Sequence, residues 1–226
     1  IRNSLIRFTL LVLVFIYACF LFIDFFLPDF NQLGNQLKWL SIVILALESV
    51  VLVPRITDTR HRIFVRCFQL AAVLTVVCDY SLLFTDRYVI GVAIFCLVQA
   101  LRLYGIFLKE APKFLLVGFG LVVLAMVLRQ EALLVLLYAF LLVSNFILSY
   151  LHYRNNKTST TESNLPTWLP ALAYFLFILC DISVALAFIG VAAHVFSPLQ
   201  WLFYLPSQVI FFYLLTNESS AQFFAK

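Results

Sequence analysis

Two short segments of the chain match each other, and each places a carboxylate inside a long apolar run. Residues 78–81 read Cys-Asp-Tyr-Ser, and residues 180–183 read Cys-Asp-Ile-Ser. A carboxylate in a membrane-spanning helix costs about 2.5–3.5 kcal/mol by insertion measurements, so such residues usually mark functional sites. We therefore take Asp79 and Asp181 as candidate catalytic residues and expect the rest of the chain to bring them to one cavity.

Two carboxyl groups that meet in apolar surroundings can divide the roles of acid and base. One member keeps its proton while the other is ionised, as in aspartic proteases and glycosidases. The protonated member can donate to a substrate, and the ionised member can activate water. Such a pair is suited to hydrolysis of an acid-labile bond.

Other hydrolytic chemistries fit the sequence poorly. A zinc site requires three or four ligands, and the histidines, His61, His152 and His194, all lie near the ends of predicted helices. The Gly-x-Ser-x-Gly turn of serine hydrolases is absent, as are a Gly-x-Gly-Asp motif and a glycine-rich phosphate loop. We expect no metal, no cofactor and no nucleic-acid partner.

The composition is that of an integral membrane protein. Of the 226 residues, 64% are hydrophobic and 12% are charged, whereas soluble domains have about 25% charged residues. The cysteines all fall within apolar runs, which argues against a disulfide framework. We predict an all-α, multi-pass helix bundle that forms a single transmembrane domain over residues 1–226, in the inner (plasma) membrane if the source is bacterial.

Eight apolar runs approach the 20 or so residues that a helix needs to cross about 30 Å of hydrocarbon. The predicted spans are residues 8–27, 38–53, 64–84, 88–108, 114–128, 132–150, 168–192 and 199–215. The polar stretch 31–36 is predicted to be a turn, Asp24 to lie at the interface, and His194 and Pro198 to mark a turn.

Basic residues near the helix ends predict the orientation. One side would carry eleven of them, namely Arg2, Arg7, Arg55, Arg60, Arg62, Arg66, Lys109, Lys113, Arg154, Lys157 and Lys226. The other side would carry three, namely Lys38, Arg87 and Arg129. Both termini are therefore predicted to be cytoplasmic.

The matched tetrapeptides suggest an internal repeat of four helices plus four. Gln99 is followed five residues later by Tyr104, and Gln208 is followed five residues later by Tyr213. An even offset in spans gives two parallel halves, which place equivalent positions around an axis along the membrane normal. The halves would be residues 1–110 and 111–226, although short matches in Phe- and Leu-rich sequence also arise by chance.

Further polar residues inside the spans are candidates for binding a substrate. Gln99, Gln208, Tyr104 and Tyr213 could orient water or a head group. Glu48 and Arg102 could form a buried ion pair, or Arg102 could contact a lipid phosphate. The alternative is that such groups only join helices by hydrogen bonds, each contributing about 0.6 kcal/mol.

The chain resembles the lysoplasmalogenase-like (YhhN-type) family of eight-helix membrane proteins over nearly its whole length. The resemblance rests on five features of the sequence: Lys38 at the start of the second span, Asp79 in Cys-Asp-Tyr-Ser-Leu-Leu-Phe, the segment from Tyr88 through Gly91 to Phe95, Asp181 in Cys-Asp-Ile-Ser-Val-Ala, and the Tyr204/Gln208 region. The chain differs at Gln99, where many relatives have His, at Arg102, where Tyr is common, and at Trp39, where a Pro follows the lysine.

The resemblance implies hydrolysis of the vinyl ether bond of a lysoplasmalogen, a lysophospholipid, to a fatty aldehyde and a glycerophospho head group. It implies that Asp79 and Asp181 are the catalytic acids, that no metal is needed, and that Lys38 and Tyr204 join Glu48, Gln99, Arg102, Tyr104 and Gln208 as substrate-binding candidates. Two other functions stay open. The acids could relay protons or cations in a small transporter or lipid- or ion-binding protein, or the chain could be a structural or sensory module.

Overall fold

Eight α-helices and one short 3-10 turn make up the part of the chain that the structure describes. The computed structural model describes residues 2–52, 58–85, 87–128, 131–156 and 166–217. The helices are α1 (Arg2–Phe26), α2 (Asn31–Val51), α3 (Thr59–Phe84), α4 (Tyr88–Ile106), α5 (Ala111–Leu128), α6 (Glu131–Asn156), α7 (Leu169–Phe188) and α8 (Ala193–Thr216), with the 3-10 turn at Pro28–Phe30. The predicted all-α class is confirmed.

Six of the described helices are long and apolar enough to cross a membrane, as expected of an integral membrane protein. These segments are Ser4–Phe26, Thr59–Phe84, Tyr88–Ile106, Ala132–Asn155, Leu169–Phe188 and Pro198–Thr216. Large apolar side chains such as Phe8, Phe15 and Leu116 are exposed on the outside of the bundle, which suits contact with lipid rather than water. The helix α2 is not among these six, and α5 contributes the shorter apolar segment Ala111–Gly120, so eight spans stay a prediction.

Several predicted boundaries are wrong because polar residues continue helices rather than ending them. The stretch 31–36, predicted as a turn, forms the first turns of α2, and α1 begins at Arg2. His194 and Pro198, which were predicted to mark a turn between the last two spans, lie inside α8. A polar residue at a helix end can face the aqueous or interfacial side without interrupting the backbone hydrogen bonds, so polarity alone does not locate the end.

Local signals do set two helix ends. The carboxylate of Asp58 accepts a hydrogen bond from the backbone N–H of His61 at 3.0 Å and caps α3. The chain leaves α7 through Gly190, whose φ of 79° is in the left-handed region. The N–H of Val191 then donates to the carbonyl of Leu186 at 3.0 Å, which completes the glycine-dependent ending known as the Schellman motif.

The packing order brings the first and the last of the described helices together. The closest helix pairs are α3 with α4 and α7 with α8, and α6 packs against both α4 and α7. The helix α2 contacts α1, α3 and α8, while α1 also contacts α8. The helix α5 packs mainly against α6 and lies to one side, so the other seven helices surround the interior.

A proline inside α8 ties this helix to α1. Pro206 has no N–H, so the carbonyl of Leu202 four residues earlier receives no helical hydrogen bond from it. The hydroxyl of Tyr17 on α1 donates to that carbonyl at 2.8 Å. The first and last helices are thereby joined at the level of Tyr204, which matters for the site described below.

Four of the basic residues counted for orientation lie outside the described residues, namely Arg55, Arg129, Lys157 and Lys226. Among those that are described, Arg60 and Arg62 begin α3, Lys109 follows α4, and Arg154 is in the last turn of α6. These helix ends lie at the same end of the bundle, since α3 runs antiparallel to α4 and to α6.

The close approach of α3 and α4 generates a stability prediction. A Cβ on Gly91 would lie 2.6 Å from Cδ2 and 2.8 Å from Cγ of Leu82, whereas nothing lies within 4 Å of a Cβ on Gly120. Gly91→Ala should therefore lower the free energy of unfolding by about 1–3 kcal/mol, and the matched control Gly120→Ala should not. Thermal unfolding in detergent measures both, and equal melting temperatures would contradict the packing of these helices.

Candidate functional site

Asp79 lies on α3 and is held by a tyrosine from α8. Its side chain is buried, with 4% exposure. The hydroxyl of Tyr204 lies 2.9 Å from Oδ1 and 2.8 Å from Oδ2, and so donates one hydrogen bond shared by both oxygens. A buried carboxyl group without a donor would be strongly destabilising, so Tyr204 is what allows an acid at this position.

Asp181 lies on α7 and is held by a different tyrosine. The hydroxyl of Tyr138, on α6, donates to Oδ2 of Asp181 at 2.6 Å. The serines two residues after the acids do not take part, because Ser81 bonds the carbonyl of Val77 and Ser183 that of Leu179. In each matched tetrapeptide the aspartate therefore accepts a hydrogen bond from a tyrosine on another helix, while the serine donates to a backbone carbonyl of its own helix.

Aromatic rings connect the two acid–tyrosine pairs. The ring of Phe95 on α4 lies 5.9 Å from the ring of Tyr138 and 6.4 Å from that of Tyr204, measured between centroids. Phe177 on α7 packs edge-on against Phe95 at 5.8 Å and against Tyr204 at 5.4 Å. The two acid–tyrosine pairs thus belong to one connected cluster, in which Asp79 and Tyr204 are buried and Asp181 and Tyr138 are partly exposed. Rings separate the pairs, and no hydrogen bond between the two carboxyl groups is found among the described residues.

The partners of the two acids are not equivalent under the predicted repeat. The repeat relates α3 to α7 and α4 to α8. Asp79 on α3 accepts a hydrogen bond from a tyrosine on α8, so the repeat predicts that Asp181 on α7 accepts one from a tyrosine on α4. The tyrosine that bonds Asp181 comes from α6 instead. The repeat stays a prediction from sequence, and the hydrogen-bond partners do not follow it.

Arg102 and Gln208 form a second polar group in the interior. Nη2 of Arg102 donates to Oε1 of Gln208 at 2.7 Å, and the guanidinium lies 3.9 Å from the ring centroid of Phe211. Nη1 of Arg102 and Nε2 of Gln208 have no partner among the described residues. A cavity of about 30 Å³ lies against both residues, between α2, α3, α4 and α8, and holds one or two water-sized groups.

Gln99 joins α4 to α6 rather than facing the acids. Its side chain is fully buried, and Nδ2 of Asn145 donates to its backbone carbonyl at 3.0 Å and to its Oε1 at 3.4 Å. Nε2 of Gln99 and Oδ1 of Asn145 have no partner among the described residues. This pair suits the helix-joining role that sequence analysis left open for buried amides.

The buried ion pair between Glu48 and Arg102, one of the two alternatives that the sequence left open, is not formed. Glu48 instead accepts a hydrogen bond from the hydroxyl of Thr9 on α1, and Arg102 donates to Gln208. The helix that carries Glu48 therefore turns this residue toward α1 rather than toward the centre of the bundle. The hydrogen bond from Thr9 to Glu48 joins α1 to α2.

Lys38 is buried in an ion pair that the sequence did not predict. Its Nζ lies 2.8 Å from Oδ1 of Asp24, and only 7% and 6% of the two side chains are exposed. Asp24, predicted to be interfacial, is thus a buried counterion. Gly34 permits this approach, because a Cβ there would lie 3.2 Å from the same carboxylate oxygen.

The two tyrosines five residues after the glutamines point away from the site. Tyr104 and Tyr213 are both exposed on the outside of the bundle. The structure therefore brings Asp79, Arg102, Tyr204 and Gln208 into the interior and leaves Tyr104 on the outer surface. Conversely, Tyr138 and Phe95 belong to the interior cluster although sequence analysis did not select them for a role.

Comparison with known protein families, curated proteins and solved structures finds no match to this chain. The chemistry of the site must therefore be argued from its own residues.

The Lys38–Asp24 pair generates a prediction about stability. Asp24→Asn leaves a buried ammonium without its counterion and should lower the free energy of unfolding by about 3–5 kcal/mol. Adding Lys38→Met in the same chain removes the orphaned charge and should recover most of the loss. Asp29→Asn, at an exposed acid in the following turn, is the control. If Asp24→Asn and Asp29→Asn unfold at the same temperature in detergent, the ion pair contributes nothing.

Proposed function

We propose that the chain is an intramembrane hydrolase of the lysoplasmalogenase type, which cleaves the vinyl ether bond of a lysoplasmalogen or a related lysolipid. The observation that carries the proposal is the pair of tyrosine-bound carboxyl groups, Asp79 with Tyr204 and Asp181 with Tyr138, in one aromatic cluster. Two acids on apolar helices, one buried and one partly exposed and each with its own hydroxyl donor, are suited to acid–base chemistry on an apolar substrate.

The reaction needs one proton donor and one water. The protonated carboxyl group transfers its proton to the vinyl carbon that is farther from oxygen, which leaves an oxocarbenium ion. The ionised carboxyl group takes a proton from water as its oxygen adds to the carbon beside the ether oxygen. The resulting hemiacetal breaks its bond to the glycerol oxygen, which releases a fatty aldehyde and a free hydroxyl group, and the two acids have exchanged roles.

The tyrosine hydroxyls support this division of labour. A hydrogen bond from Tyr204 or Tyr138 stabilises the ionised form of the aspartate that accepts it. The two acids differ in surroundings, since Asp79 is buried and interacts electrostatically with Arg102. Two carboxyl groups take separate acid and base roles when their surroundings favour the protonated form of one and the ionised form of the other.

The position of Arg102 supports a substrate that carries a phosphate. Gln208, its partner, follows Tyr204 by four residues on α8, which is a rise of about 6 Å along the helix. In a glycerophospholipid the phosphate and the first ether oxygen are separated by the three glycerol carbons, a similar length. The unpartnered N–H groups of Arg102 and Gln208 are therefore suited to receive phosphate oxygens while the ether bond lies near Asp79.

We infer that all eight helices cross the membrane and that both termini are cytoplasmic. The helix α2 has 21 residues, which is enough to cross about 30 Å of hydrocarbon, and its charges at Lys38 and Glu48 have partners on α1. The clustering of Arg60, Lys109 and Arg154 at one end of the bundle supports the orientation. An even number of spans returns the chain to the side on which it starts. In a bacterium this membrane is the plasma membrane.

A proton or cation relay is the second candidate, favoured by one observation. Polar groups extend along the interior from Asp79 and Tyr204 to Arg102 and Gln208, beside a helix that contains Pro206. Transporters use intramembrane acids and interrupted helices in this way. A relay predicts proton-coupled flux in liposomes without any lipid product, whereas a hydrolase predicts aldehyde release without flux.

The proposal predicts the effect of neutralising either acid. Asp79→Asn and Asp181→Asn each remove a titrating group and should lower aldehyde release from a lysoplasmalogen by at least about 100-fold, the usual contribution of a general acid or base. Asp29→Asn should retain the wild-type rate. Aldehyde is measured by mass spectrometry on purified protein whose melting temperature is unchanged. Full turnover by either variant would remove the proposal.

The phosphate contact predicts a difference between two substrates. Arg102→Gln removes a charged hydrogen-bond donor worth about 1.5–3 kcal/mol, so kcat/KM for a lysoplasmalogen should fall by about 10- to 100-fold. The rate for a 1-alkenylglycerol, which lacks phosphate, should change little, and Arg102→Lys should restore part of the loss. An equal fall for both substrates would show that Arg102 only supports the fold.

A further inference from the structure

A second cavity lies away from the two acids, at the end of the bundle where α3 begins and α4 and α6 end. Its volume is about 320 Å³, within the range of about 300–1,000 Å³ that is typical of ligand sites. Its polar lining consists of Arg60, Lys109, Glu110, His152 and Asn155, and its apolar lining of Ile106, Phe107, Leu148 and Leu151. None of these residues takes part in the proposed hydrolysis.

The polar lining carries more positive than negative charge. Arg60 and Lys109 are cations, Glu110 is the one acid in the lining, and His152 and Asn155 add further hydrogen-bonding groups. Among the residues that the structure describes, neither Arg60 nor Lys109 makes an ion pair or a side-chain hydrogen bond. Two cations and one acid leave a net positive charge beside the cavity, which favours an anionic occupant.

The first turn of α3 adds to this preference. It contains Arg60 and Arg62 and no acidic residue, although the positive end of the helix dipole disfavours cations in a first turn. The cap residue Asp58 bonds the N–H of His61 and compensates only part of this charge. An anion bound beside Arg60 would relieve the remaining repulsion.

The apolar lining distinguishes a lipid from a free anion. Ile106 and Phe107 are buried beneath the cavity, whereas Leu151 is exposed on the side that faces lipid. The cavity therefore places cations beside an apolar wall that continues onto the outer surface of α6. Such a site matches a charged head group attached to acyl chains, and basic pockets between helices at a membrane surface bind anionic lipids in this way.

We propose that this cavity binds the phosphate head group of an anionic phospholipid, whose acyl chains lie along Leu148 and Leu151. The bound lipid joins α3, α4 and α6 at the basic end of the bundle. The site is separate from the catalytic proposal and holds whether or not the chain is a hydrolase.

Lipid retention by the full chain tests this site. The protein is purified in detergent with equal amounts of phosphatidylglycerol and phosphatidylcholine that carry identical acyl chains, and bound lipid is identified by native mass spectrometry. The wild type should retain phosphatidylglycerol preferentially. Arg60→Gln combined with Lys109→Gln should lower that retention on the order of tenfold, since each cation near a membrane surface contributes to anionic lipid binding. Glu110→Gln should raise it.

A matched double variant separates the cavity from the basic surface as a whole. Lys113→Gln combined with Arg154→Gln removes the same charge from the same end of the bundle, but neither residue lines the cavity, so retention should stay at the wild-type level. An equal loss in this control would overturn the proposal. Displacement of the lipid by inorganic phosphate would also overturn it, because the ligand would then be a soluble anion.

Discussion

Each of the acids Asp24, Asp79 and Asp181 takes its hydrogen-bond or charge partner from another helix. Lipid offers no partner to a polar group, so each buried group must be satisfied by the protein. Asp79 receives the hydroxyl of Tyr204, Asp181 that of Tyr138, and Asp24 the ammonium of Lys38. Every one of these contacts joins two different helices. The polar residues that would do chemistry are therefore also the ones that hold the helices in register.

The groups left without partners are as informative as those that have them. Nη1 of Arg102 and Nε2 of Gln208 border a small cavity one helical turn from Tyr204. A fully satisfied arginine would suit a structural role, whereas this one has an unpartnered donor group beside a cavity that holds one or two water-sized groups. Under the proposed function, these spare donors are the groups that would select a lipid with a phosphate.

Long apolar runs made the helices predictable, but the same runs concealed which side of each helix faces inward. A membrane helix is apolar on its lipid side as well as its protein side, so periodicity does not separate Tyr138, which is inside, from Tyr104, which is outside. Asp79 and Arg102 were predictable because a charge has no place on the lipid side. The ion pair between Asp24 and Lys38 was not predictable, because it depends on the close approach that Gly34 allows between α1 and α2.

The contact between Tyr17 and the carbonyl of Leu202 has a consequence for the order in which the protein is made. The first helix enters the membrane early in synthesis and must wait for the last one to provide that carbonyl. Asp79 likewise enters on the third helix, and its tyrosine arrives only on the eighth. Until α8 has been made and packed, this acid has no hydroxyl from that helix, so the nascent chain contains no assembled site.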